Sequence, residues 1–145
     1  MSLHLLKLCV GAESIRDMEE WIEERLADKR RRGEPAEQKH TTRMVPKRAD
    51  ELLDGGSLFW VIKGQIAARQ KLLEIRPFTD AEGVGRCHLV LEPVMIPVAP
   101  RPCRPFQGWR YLKDNEKPAD LAAGAGELAE MPEELRRELR ELGLL

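Results

Sequence analysis

The chain has 145 residues, 42% hydrophobic and 34% charged, enough apolar material for one core and one domain over 1–145. Lys and Arg number 24 against 25 Asp and Glu, and the resulting net charge of -1 excludes a uniformly basic nucleic-acid coat. The charge is uneven, however: residues 39–110 carry twelve Lys and Arg against seven Asp and Glu, a net of +5, and both flanks are acidic.

No long apolar run opens the chain, so neither a signal peptide nor a membrane span is expected. Cys9, Cys87 and Cys103 form an odd set without metal-ligand spacing, which suits a reducing cytoplasm, no metal and no cofactor.

In chain order, LHLLKLCV (3–10) is short and apolar enough for a buried strand, ended by Gly11. Ser14 opens a helix as its cap, with Asp17 three positions on. Ile15, Met18, Ile22 and Leu26 recur at helical spacing, and Glu19, Glu20, Glu23 and Glu24 take the wet face. The helix fades in the cationic run 29–32, which complements the dipole there, and 33–36 reads as a mobile loop. A strand is expected over 43–45, closed by Pro46. That proline also suits the start of a short helix over 47–53, where its missing N–H would be unpaired anyway. Gly55 and Gly56 stop this helix. In the strand that follows, Leu58, Trp60 and Ile62 share one face and Phe59 and Val61 the other; both faces are apolar, so the strand is central.

Residues 65–75 are ambiguous by periodicity, since Ala68, Leu72 and Ile75 fit a helix, whereas a strand needs a phase break near Gln70, as at a bulge. The hairpin turn expected over 79–85, followed by the alternation of Cys87, Leu89 and Leu91, favours the strand. Five of the ten prolines lie between Pro93 and Pro105, which predicts an extended segment along a sheet edge. Residues 106–112 return to strand composition, 113–131 read as a linker, and 132–145 as a final helix with Leu135, Leu139 and Leu142 inward. The predicted core includes Leu5, Ile22, Trp60, Ile62, Leu89 and Leu91.

Two blocks carry the functional signal: HTTRMVPKRADELLDGGSLFWVIKG (40–64) and RPCRPFQGWRYL (101–112). Arg43, Lys47, Arg48, Lys63, Arg69, Arg101, Arg104 and Arg110 are candidate phosphate contacts, and Trp60, Trp109 and Tyr111 candidate stacking platforms. Trp60 is equally a core candidate, given its apolar neighbours. The two blocks are expected to converge on one concave face. For catalysis, Thr41, Thr42, Lys47, Glu51, His40 and His88 offer acid-base groups, yet no spacing pairs a nucleophile with its base, so catalytic residues stay unassigned. His40 otherwise reads as a loop or strand-edge residue and His88 as a surface one. A protein-interaction module facing an acidic partner is a third class.

The segments LHLLKLCVGA, HTTRMVPKRADELLDGG, WVIKG and RPFQGWRYL resemble, over nearly the whole chain, an uncharacterised proteobacterial domain-of-unknown-function family (DUF1489-like). That resemblance brings no activity. The order of elements is also similar to small PUA-like barrels, including the EVE and ASCH groups, which commonly bind RNA or modified bases. This second resemblance implies an α+β fold: a small, partly closed β-barrel of about five or six strands with flanking N- and C-terminal helices. Its implied partner is RNA or a modified nucleobase. The ASCH likeness implies, as an alternative, an amidohydrolase acting on an acylated nucleobase through a Lys, Thr and Glu constellation.

Overall fold

Alternating apolar strands and one capped helix give an α+β fold, described by a computed structural model over residues 3–121. The helix expected over 132–145 and the linker beyond 121 lie outside the described residues. Strand β1 (Leu3–Leu8) leads to helix α1 (Ile15–Arg31). As its sequence predicts, the Ser14 hydroxyl caps α1 by accepting the Asp17 N–H at 3.1 Å, and the Asp17 carboxylate accepts the Glu13 N–H at 3.0 Å. Ile15, Met18, Ile22 and Leu26 form the buried stripe.

Strand β2 (Gln38–Thr42) precedes the segment expected to be a strand, and in its place 43–44 form a bend and Val45 is irregular. Pairing with β5 uses 38–42, and the Thr42 hydroxyl then turns the chain by donating to the Met44 carbonyl at 3.0 Å. Helix α2 (Ala49–Leu53) is shorter than predicted and buries Leu52. Gly56 follows where a Cβ would sit 2.1 Å from the Leu52 carbonyl oxygen and 2.3 Å from that of Leu3, which is why the chain needs glycine there. Every residue of β3 (Ser57–Ile62) is buried, as expected of a central strand.

Lys63 and Gly64, with φ of 49° and 75°, make the two-residue turn into β4 (Gln65–Thr79), which is extended throughout. Pairing runs Val61↔Ile66, then Trp60↔Ala68, so Ala67 is a bulge; a second irregularity skips Leu73. The phase break expected near Gln70 is thus present, as irregularities at Ala67 and Leu73 on either side of it. Ile66 joins the cluster of Phe59 and Val61, whereas Ala68 and Leu72 join that of α1. Strand β5 (Gly85–Leu91) follows a turn in which the Asp80 carboxylate accepts the N–H groups of Glu82 and Val84, each at 2.9 Å. Proline-rich β6 (Ile96–Pro102) pairs with β4 and, through Val98, bridges Asp120, and β7 (Trp109–Lys113) runs antiparallel to β1.

The seven strands form one mixed sheet in the order β2-β5-β4-β3-β1-β7, with β6 beside β4 and β1 parallel to β3. It is not closed into a barrel, which corrects the expected architecture. Long β4 gives its first half to β3 and β6 and its second to β5, so the sheet branches, while among the described residues β2 and β7 at its two ends each pair with one strand. Helix α1 covers one face, over Leu5, Trp60, Ile62, Leu89 and Leu91; Leu6, Phe59, Val61, Ile66, Val98 and Leu112 pack on the other. After β7, residues 119–121 bond back to Ala99 and Pro97 of β6.

Candidate functional site

A cavity of about 320 Å³ lies between the carboxyl end of β1, helix α1 and strand β2. Sheet register builds its floor. Lys7 is opposite Trp60 in parallel β3 and opposite Trp109 in antiparallel β7, so Trp109, Lys7 and Trp60 form one row on the face covered by α1. From α1 come Trp21 and Arg25, one turn apart, with the guanidinium 5.1 Å from the indole centroid. From β2 comes His40, edge-on to Trp60 at 5.2 Å and 89°. The volume is at the lower end of small-ligand sites.

Among the described residues the lining contains no carboxylate. Lys7 has no acidic partner among the described residues, and partial burial pulls its ammonium below the usual lysine range. Burial, reinforced by the charges of Lys7 and Arg25, lowers the His40 pKa to about 4, so the ring is neutral near pH 7. Its Nε2 is enclosed and makes no hydrogen bond. The Cys9 thiol is pushed up by burial and stays protonated, a poor nucleophile. Trp60 is held from behind: its Nε1–H donates to Gln70 Oε1 at 2.9 Å, while the Gln70 amide donates to Gln38 Oε1 at 2.6 Å and to the Glu92 carbonyl at 3.0 Å. Trp60 is thus both core, at 3% exposure, and cavity floor.

The two basic aromatic blocks meet beside this row. Trp109 Nε1–H donates to the Met44 carbonyl at 3.0 Å, and the Arg48 N–H donates to the Tyr111 hydroxyl at 3.2 Å. Trp109 and Tyr111 pack edge to face at 4.9 Å. The Arg48 charge is engaged by Glu51, whereas Arg43 and Lys47 are exposed and make no ion pair among the described residues.

The other predicted cations are not gathered there. Strand alternation sends Arg110 to the reverse face, over Phe106 at 5.1 Å. Arg69 makes two bonds of 2.7 Å to Asp120. Arg101 donates to the Glu116 carbonyl, and Lys63 lies 3.7 Å from Glu13 in the β3–β4 turn. Arg104 follows β6 and is exposed.

The acid-base groups do not assemble either. Thr41 Oγ1 pairs with His88 Nδ1 at 3.0 Å on the surface, Glu51 is tied to Arg48, and Thr42 is spent on the Met44 carbonyl. Ser57, His4 and Asp114 have the composition of a hydrolytic triad but not its wiring. His4 Nδ1 accepts the Ser57 backbone N–H at 3.0 Å, its Nε2 bonds Asp114 at 2.8 Å, and the Ser57 hydroxyl receives Arg69 at 2.9 Å. Both imidazole nitrogens are occupied, so the hydroxyl has no base.

Sequence reasoning missed Lys7, Trp21 and Arg25. The signals existed: one lysine inside the apolar run LHLLKL, and a tryptophan on the acidic face of an amphipathic helix, followed by an arginine one turn later.

No helix among the described residues is long and apolar enough to cross a membrane. No curated protein and no solved structure was found to match the chain. A family described as Protein of unknown function (DUF1489) matches residues 5–145, in agreement with the resemblance carried by the segments above. The chain belongs to the DUF1489 family.

Proposed function

We propose that this chain is a PUA-like nucleic-acid-binding domain of the cytoplasm that draws one nucleobase, plain or modified, from RNA into the cavity floored by Trp60. The observation that carries the reading is the composition of that cavity: three aromatic rings, Trp21, His40 and Trp60, beside two cations, Lys7 and Arg25, with no ion-pair partner and no carboxylate in the lining among the described residues. Aromatic walls suit a planar ring, and cations suit the phosphates attached to it. Trp21 is 43% exposed at the rim, as a ring that receives a partner would be. Arg43 and Lys47, next to Trp109 and Tyr111, extend the same face with cations available to a backbone. The order strand, helix, basic segment, short helix, strand pair supports the PUA-like likeness, although the sheet is open. The three free cysteines fit a reducing compartment.

The test is titration of short single-stranded RNA at low salt, with Trp21→Ala and Trp109→Ala beside the parent. Loss of one stacked ring is worth about 1–3 kcal/mol, so each variant should bind about five- to 150-fold more weakly. A folded parent that binds no oligonucleotide, or variants that bind as it does, would refute the reading.

A further inference from the structure

The donor and acceptor inventory of the cavity restricts which ring it takes. Lys7, Arg25 and Lys39 bring only N–H donors. The side-chain acceptors among the described lining residues are few, and each already holds one partner: Gln38 Oε1 receives the Gln70 amide at 2.6 Å, and the Thr41 hydroxyl pairs with His88 at 3.0 Å. An amino-bearing base such as cytosine or adenine would bury N–H groups with little to receive them, and an unmatched buried donor is strongly selected against. Ring carbonyls and carboxylates have the opposite fit. They accept from Lys7 and Arg25. A half-buried ammonium without an acidic partner is itself unfavourable, and an anion beside it relieves that cost.

We infer that the cavity selects an oxo-rich, acidic ring, of the class of carboxylated oxopyrimidines, over amino-bearing bases. The inference rests on the nucleobase reading above and names its ligand class.

The experiment is competition binding of the whole chain to 5-carboxyuracil, uracil and cytosine, each as the free base and as the ribonucleotide within one short RNA. Circular dichroism of every variant checks the fold. The expected order is carboxyuracil about tenfold or more tighter than uracil, with cytosine weaker than both, from the Coulomb and hydrogen-bond matching of two cations. In Lys7→Gln and Arg25→Gln, each folded, the carboxyuracil-to-uracil ratio should fall toward one. Tighter binding within RNA than as free base assigns the ring to nucleic acid, and the reverse to a free small molecule; either keeps the acidic preference. Cytosine binding as well as carboxyuracil would overturn the inference and leave the nucleobase reading standing, as would an acidic preference that survives both substitutions. Failure of every ring in both forms, with the fold intact, would overturn both.

Discussion

Substitution of Gln70 by methionine isolates the support behind the cavity floor. Gln70 is 0% exposed; its carbonyl oxygen receives Trp60 at 2.9 Å, and its amide donates at 3.0 Å to the Glu92 carbonyl. Methionine fills a similar volume but leaves both groups without these bonds. Each buried polar group left unpaired costs about 1–3 kcal/mol, and burial of the thioether chain offsets about 1 kcal/mol, so the net loss should be about 1–5 kcal/mol. Gln38 is partly exposed and can bond water instead, so Gln38→Ala should cost about 1 kcal/mol. Urea unfolding followed by tryptophan emission measures both, provided the m-value is unchanged. Because Trp60 loses its anchor, Gln70→Met should also weaken nucleobase binding. Stability within about 0.5 kcal/mol of the parent, together with unchanged affinity, would refute the role given to this network.

Three further outcomes follow from the geometry. Gly56→Ala would drive a Cβ to 2.1 Å and 2.3 Å from two backbone oxygens, so it should destabilise by about 3 kcal/mol or more in thermal unfolding; a midpoint like the parent's would show that this packing yields easily. His40 falls from 6.5 to about 4 on folding, so between those values the unfolded chain takes up a proton that the folded one refuses. Stability from His40 is complete above pH 6.5 and is lost as pH falls toward 4, by about 1–2 kcal/mol for a ring not fully enclosed; His40→Gln should remove this part of the acid sensitivity, and parallel pH curves would refute it. For single-stranded RNA, Arg43→Ala and Lys47→Ala should each lower the slope of log affinity against log salt by about 0.7, whereas Trp109→Ala should weaken binding with the slope kept; equal slopes in all would remove 43–47 from the interface.

Local rules were enough where they acted alone. The Ser14 cap, the apolar stripe of α1, the two apolar faces of β3 and the alternation of Cys87, Leu89 and Leu91 could all be read from neighbours within a few residues. Strand β2 was misplaced because HTT and RMV have similar strand propensity, and the choice is made by cross-strand pairing with β5, nearly fifty residues away. The barrel failed for the same reason: two bulges in β4 and its sharing among three partners set the sheet, and neither is written in periodicity. Of the blocks 40–64 and 101–112, Met44 and Arg48 meet Trp109 and Tyr111, whereas Arg101 turns to the Glu116 carbonyl and Arg110 to the reverse face. The cavity stayed hidden because its cations, Lys7 and Arg25, lie in the acidic first 38 residues, where regional charge counting points away from a binding site.

The central claim is that a base enters the cavity, and the most direct measurement labels all three tryptophans. In a fluorotryptophan-substituted protein, Trp21, Trp60 and Trp109 give separate fluorine resonances, assigned by single replacement. Titration with single-stranded RNA should shift Trp60 and Trp21 together, saturating at the same concentration as binding measured by anisotropy. Saturable RNA binding that moves only Trp109, or leaves all three resonances in place, would contradict the account.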